Sequence, residues 1–208
     1  VLMDLAMGLA SGSVKVIDLS VTLSPETPTL ELPEEFGWGK SWPFSKEEIS
    51  RYDDRGPAWY WNNIKCGEHT GTHFDAPVHW VTGRDLPDNA TDTLPPERFI
   101  GPAVVIDVVA EAENDSDFLM SLDFLKAWEA ENGVIPDGAW VLYRTDWSKK
   151  ESNEAYFNKD ETGGHTPGWD PETVAFLAPL LASPKLSGVL QARATARARV
   201  RVRFEGEG

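Results

Sequence analysis

An α/β or α+β domain is the fold class that the sequence predicts, and three observations carry it. Two short, continuous apolar runs, "GPAVVIDVVA" (101–110) and "DGAWVLYRTDW" (137–147), have the length and composition of buried strands. Between and after them lie two segments with helical periodicity and end signals, "SLDFLKAWEAENG" (121–133) and "WDPETVAFLAPLLAS" (169–183). The 208 residues are 41% hydrophobic and include nine tryptophans, which suffices for one core and argues against disorder.

Taken in order, "VLMDLAMGLASGS" (1–13) is mildly apolar and is expected to be a short amphipathic helix or an untrimmed leader. It lacks a basic n-region and carries Asp4, so it does not read as a signal peptide. "VKVIDLSVTL" (14–23) alternates enough for a strand, which "SPETP" then breaks. In "PFSKEEISRYDD", Ser45 with Glu48 three residues on forms a capping box for a short helix. "PAWYWNNIKC" (57–66) is aromatic and β-favouring. In 121–133 the apolar positions 122, 124, 125 and 128 share a face, and Gly133 suits the helix end. Asp170 followed by Pro171 is a helix start, and Pro179 is expected to end or kink that helix.

The formal net charge of −15 makes nucleic acid and anionic membranes poor partners for the body of the protein. No run of about 20 apolar residues occurs, so no membrane-spanning helix is expected. The single cysteine, Cys66, rules out an intramolecular disulfide and fits a reducing cytoplasm; it reads as a small buried apolar residue. The segment 191–208 holds five of the ten arginines and changes composition abruptly after Leu190. Runs of Ala, Arg, Val and Gly of this kind are what a shifted reading frame in GC-rich coding sequence yields. The expectation is that 191–208 is not the native end of the fold, with a basic tail for acidic partners as the alternative.

Three of the four histidines fall within "GEHTGTHFDAPVHW" (67–80). His69, His73, Asp75 and His79 are all odd-numbered, so an extended chain sends all four side chains to one face. A straight strand would spread them over about 33 Å, at about 3.3 Å per residue. A single ion needs donors about 2.0–2.2 Å away, so the chain must bend. Gly71 permits the bend, and Pro77 excludes a helix through the site. Two imidazoles and a carboxylate suit a divalent ion such as Zn²⁺ or Mn²⁺, with a position left for water. Such an ion lowers the pKa of water and polarises a carbonyl. On spacing alone His79 is either a further ligand or a general acid/base. Trp59, Tyr60, Trp61 and Trp80 flank the motif and offer either aromatic faces for a flat aryl substrate or core packing. Asn62 and Asn63 suit either a hydrogen bond to a substrate carbonyl or a turn.

"HTGTHFDAPVH" resembles the His-x-Gly-Thr-His-x-Asp-x-Pro-x-His motif of the cyclase-like metal hydrolases, a family that includes bacterial kynurenine formamidase and isatin hydrolase. The resemblance runs over roughly 14–180, through "VIDLSVTLSPETP", "GAWVLYRTDWSKK" and "HTPGWDPETVAFLA", with Asp146 where glycine is usual. It implies an α/β fold with a mixed, barrel-like sheet and flanking helices over 14–190. It implies His69, His73 and Asp75 as metal ligands and His79 as the acid/base residue. The implied reaction is Zn²⁺- or Mn²⁺-dependent hydrolysis of the amide C–N bond of a small aryl compound, and the implied assembly is a homodimer or homotetramer. The run "WYWNN" leans to the isatin-hydrolase side, so Trp59, Trp61, Asn62 and Trp80 are the candidate substrate contacts. After "LSGV" this chain departs from the family, which continues there with further metal-site residues. A metal-binding protein of the same fold without turnover is therefore the alternative expectation.

Overall fold

The computed structural model describes residues 1–30, 37, 39–150 and 152–181. Its elements are α1 (Leu2–Ser11), β1 (Ser45–Asp53), β2 (Gly56–Lys65), β3 (Ala103–Asp107), α2 (Val109–Asn114), β4 (Leu119–Met120), α3 (Leu122–Asn132), β5 (Trp140–Arg144), α4 (Asn153–Phe157), β6 (Lys159–Asp160), β7 (Gly163–Gly164), β8 (Gly168–Trp169) and α5 (Pro171–Leu181). The tail 191–208, and with it the expectation about its origin, lies outside the described residues.

The centre of the fold is a parallel pair, β3 with β5, in register from Ala103 opposite Trp140 to Asp107 opposite Arg144. Parallel strands require a crossover, and here α2, β4 and α3 supply it. One face of this unit buries Ile106, Val108, Met120, Leu125, Ile135, Ala139 and Leu177, with Trp128, Val141, Tyr143 and Trp169 packed around them. Both helices predicted for this half are present, each with a side-chain cap at its start. Ser121 Oγ accepts the Phe124 N–H at 3.2 Å, and Asp170 Oδ1 accepts the Glu172 N–H at 2.8 Å. Gly133 follows α3 with φ of 93°. β4 pairs in parallel with β8, and buried Thr173 donates its hydroxyl to the Met120 carbonyl at 2.9 Å. α5 does not end at Pro179 but runs to Leu181. The strands form four two-stranded sheets, and among the described residues no barrel closes.

Three local expectations are corrected. Residues 45–53 form β1 and not a capped helix; they pair antiparallel with the aromatic β2. Their only strongly apolar residues are Ile49 and Tyr52, too few for a helical face, and strand pairing with β2 outweighs the local cap. Residues 14–23 are not a strand: among the described residues no strand pairs with them, and Val16 and Ile17 stay largely exposed. Cys66 is exposed at the base of the β1–β2 hairpin, where its side chain faces no core. At the amino end the helical alternative holds. α1 closes on Gly12, left-handed at φ 77°, whose N–H reaches the Leu9 carbonyl.

His165 ties two loops together. Its Nδ1 lies 2.8 Å from Asp117, and its Nε2 lies 2.9 Å from Asp160 and 3.0 Å from the Thr162 hydroxyl. Carboxylates on both ring nitrogens favour the imidazolium, so His165 is raised from its usual 6.5, by the hydrogen bond to Asp160 and then by that to Asp117. Asp160 is lowered, first by the hydrogen bond from His165.

Two outcomes follow from this packing. Leu125→Ala empties the fully buried centre of α3 and is expected to cost about 2–5 kcal/mol in urea unfolding with an unchanged slope. The raised His165 contributes stability that is complete below its unfolded value and is lost as pH rises through its folded value. The lowered Asp160 contributes stability present above 3.8 that is lost as pH falls. The melting-temperature gap between wild type and His165→Ala is therefore expected to be widest between about pH 4 and pH 6.5, and to close in alkali.

Candidate metal centre

The motif folds as the bend argument requires. Gly71 takes a left-handed φ of 63°, and a Cβ there would come within 2.5 Å of Leu23 and 3.1 Å of Val21. The Thr72 hydroxyl accepts the Val21 N–H at 3.0 Å, and buried Thr70 donates to the Gly67 carbonyl at 2.7 Å. The segment 20–23, although not a strand, thus buttresses the loop from outside. Pro77 opens a short 3₁₀ turn, Pro77–His79. Its proline ring supplies the fixed φ that such a start uses.

Candidate ligand atoms of His69, His73 and Asp75 all lie within 4.8 Å of one another. Asp75 is 6% exposed, so its carboxylate is nearly out of water. Its Oδ1 lies 2.8 Å from His69 Nδ1 and 3.3 Å from His73 Nε2. The His73 tautomer follows from its other contact. Nδ1 lies 2.8 Å from the Gly71 carbonyl, which can only accept, so Nδ1 carries the proton and donates. In a neutral ring Nε2 is then a bare acceptor facing a carboxylate oxygen. An Nε2 proton donated to Asp75 Oδ1 satisfies this contact, and so does a metal ion bound to both atoms. Two ligands each about 2.1 Å from a tetrahedral ion sit about 3.4 Å apart, so the spacing fits a metal. The donor set, two imidazole nitrogens and one carboxylate oxygen, is of the type that holds Zn²⁺ or Mn²⁺.

His79 joins the group from the rim. Its ring centroid is 4.1 Å from that of His69, and Trp80 meets His79 edge to face at 4.6 Å. Glu68, which spacing arguments passed over because it is even-numbered, also comes within ligand range of His69 and His79. Trp59, Trp61 and Asn62 lie elsewhere, on the β1–β2 hairpin. Trp59 packs beside Gly56 at its tip, and Trp61 stands opposite Ser50. Both tryptophans are about half exposed, whereas Asn62 Oδ1 is buried with no hydrogen-bond partner among the described residues. A shallow cleft opens over the cluster, lined by Thr27, Pro28, Leu30, His69, Gly71, His73 and Tyr156. No spacing rule links Tyr156 to His69, so the sequence offered no signal for this wall.

Asp146 follows β5 in the left-handed conformation, at φ 54°, with its carboxylate held by Arg144 and Lys149. A glycine would take that backbone without strain. The Lys149 and Arg144 hydrogen bonds keep the Asp146 carboxyl below its usual range despite its partial burial, which acts the other way.

An α/β fold thus carries a histidine–aspartate cluster whose donor atoms could hold a divalent ion. Residues 17–180 match the Cyclase family, and the chain belongs to that family. Isatin hydrolase of Roseibium aggregatum is 49% identical over 178 residues, covering 85% of this chain and 67% of the relative. Kynurenine formamidase of Salinibacter ruber is 32% identical over 130 residues, covering 60% and 56%. Among solved structures, isatin hydrolase A from Ralstonia solanacearum superposes with a TM-score of 0.82 at 56% identity, covering 85% of this chain and 67% of that one. An isatin hydrolase bound to the product analogue thioisatinate gives 0.81 at 47%, with the same coverage. This chain thus spans about two thirds of the length of the isatin hydrolases it matches. The relatives are hydrolases of amide C–N bonds, and this is the class to which the chain belongs.

Because the bend at Gly71 holds His69 and His73 together, Gly71→Ala is expected to destabilise by about 1–2 kcal/mol through left-handed strain. Zn²⁺ titration should show weaker binding in the same variant.

Proposed function

We propose that this chain cleaves the C–N amide bond of a small aryl amide, either an isatin-like cyclic amide or N-formylkynurenine. His69, His73 and Asp75 hold the required divalent ion, Zn²⁺ or Mn²⁺. The observation that carries the reading is the convergence of the His69, His73 and Asp75 ligand atoms to within 4.8 Å of one another. Identity to isatin hydrolase above that to kynurenine formamidase supports the cyclic amide as the first choice. A divalent ion bound there supplies water activation at neutral pH and polarisation of the amide carbonyl.

The chain's own residues do the rest. Gly71 accepts the His73 Nδ1 proton and so fixes which nitrogen faces the reaction centre. Nearly buried Asp75 holds negative charge at the site, where low dielectric makes it effective. His79, at the rim and against His69, takes a proton from the attacking water at an imidazole nitrogen and returns it to the departing amide nitrogen. Trp80 packs on His79 and limits its rotation. Trp59, Trp61, Asn62 and Trp80 are the substrate contacts in this reading, supported by the exposed indole faces of the three tryptophans. A homodimer or homotetramer is the proposed assembly. Tyr52, Trp59, Trp61 and Ile64 expose a large apolar area on a two-stranded hairpin, which alone is marginal in water.

Purified protein is expected to carry about one divalent ion per chain, as one three-ligand set implies. Chelation should abolish turnover of isatin, and added Zn²⁺ or Mn²⁺ should restore it. His73→Ala should lose metal and activity together. His79→Ala should keep its metal while kcat falls by about 10²- to 10⁴-fold. A metal-free His73→Ala protein that still hydrolyses isatin contradicts the reading. Full metal occupancy with turnover of neither amide supports a metal-binding protein of the same fold instead.

A further inference from the structure

His69 stands between two carboxylates, one for each ring nitrogen. Its Nδ1 lies 2.8 Å from Asp75 Oδ1. An ionised carboxylate only accepts, so Nδ1 donates. In a neutral ring Nε2 is then left with a lone pair, and it faces Glu68 Oε1 at 3.5 Å. That separation is too long for a good hydrogen bond. It matches the roughly 3.4 Å between two ligands of one tetrahedral ion, each about 2.1 Å from it. His79 completes the set. Its ring centroid is 4.1 Å from that of His69, and ligand atoms of Glu68, His69 and His79 all lie within 4.8 Å of one another. This is a second group of two histidines and a carboxylate, on the solvent side of His69.

The backbone beneath both outer ligands is pinned. Gly67, next to Glu68, donates its N–H to the Trp42 carbonyl at 2.9 Å and accepts the Thr70 hydroxyl at 2.7 Å. His79 donates its N–H to the Ala76 carbonyl at 2.9 Å, and Trp80 packs edge to face against its ring. Nearly buried Asp75 orients the shared ring by accepting at Nδ1, and a carboxylate behind a histidine makes that ligand more basic. Glu68 and His79 themselves are exposed, so ordering them costs side-chain freedom. With an inner ion on Nδ1, the imidazole becomes a bridge and must also release its Nε2 proton. The rim group is therefore the weaker of the two. It fills only when metal exceeds what His69, His73 and Asp75 take.

We propose that Glu68, His69 and His79 form a second, weaker cation site, which takes a borderline ion such as Zn²⁺ and not oxygen-seeking Mg²⁺. His69 Nε2 and a nitrogen of His79 bind through their lone pairs, Glu68 binds through a carboxylate oxygen, and any proton the rings carry there passes to solvent. Occupancy ties up the His79 acid/base, so excess Zn²⁺ suppresses turnover. The inhibitory half rests on the hydrolase reading above; the binding half does not.

Titration of the full-length protein with Zn²⁺, in competition with a chromophoric chelator, reads both sites. Wild type is expected to bind about two ions per chain, one for each three-ligand set. The second should be weaker by about tenfold or more, the cost of ordering exposed side chains. Glu68→Gln alters an exposed side chain and should keep the first ion at wild-type affinity while losing the second. At one equivalent of Zn²⁺ the two proteins should hydrolyse isatin alike. Beyond it, wild-type kcat should fall by about 10²-fold or more, as for loss of a general acid/base, while Glu68→Gln holds its rate. Mg²⁺ at the same excess should leave both unchanged. One ion per chain in wild type at every Zn²⁺ concentration, or a second ion held equally by Glu68→Gln, overturns the site. Glu68-dependent binding of two ions with full turnover in excess Zn²⁺, or equal inhibition by Mg²⁺, overturns the inhibitory half. Wild type that binds two ions but hydrolyses neither isatin nor N-formylkynurenine contradicts the hydrolase reading and leaves the rim site standing.

Discussion

The site depends on one close contact between His73 and Asp75. The Gly71 carbonyl can only accept, so it takes the His73 Nδ1 proton and leaves Nε2 facing the Asp75 carboxylate at 3.3 Å. With Asp75 nearly buried, water cannot screen that arrangement. A metal ion bound to both atoms would satisfy the contact, and their separation is about the span that two ligands of one tetrahedral ion need. Gly71 serves twice, as the bend that brings His69 back toward Asp75 and as the acceptor that sets the His73 tautomer. Its backbone oxygen is thus as much a part of the centre as the side chains.

The rest of the fold supports that loop from two sides. On one, Val21 and Leu23 close against Gly71, and Val21 donates to Thr72. On the other, the parallel pair β3–β5 and its buried cluster give the rigid body from which the later loops and α4 project. α4 brings Tyr156 to the cleft, and Thr29–Asn153 ties it to the 27–30 loop. Packing energy far from the centre therefore fixes the walls of the cleft, while hydrogen bonds within the loop fix its floor.

Much of this was legible in the sequence, for identifiable reasons. The donor set His69, His73 and Asp75 could be read because same-parity spacing, a glycine bend and a proline stop are local rules, and the structure does bring those atoms together. α3 and α5 announced themselves through apolar periodicity, Gly133 and Asp170, whose chemistry is also local. Failures occurred where a partner strand decides. The Ser45–Glu48 capping box was overruled by pairing with β2, and the alternation of 14–23 was insufficient without a neighbour. Cys66 looked buried on composition but sits at an exposed hairpin base. The Tyr156 wall was invisible because only tertiary folding brings it to the histidines.

X-ray absorption at the metal edge of the Zn²⁺- or Mn²⁺-loaded protein tests the central claim most directly. The account predicts a first shell of nitrogen and oxygen at about 2.0–2.2 Å, with the outer-shell scattering of two imidazole rings and no sulfur. A shell of water and carboxylate oxygens without imidazole scattering, or a sulfur contribution from Cys66, would contradict it.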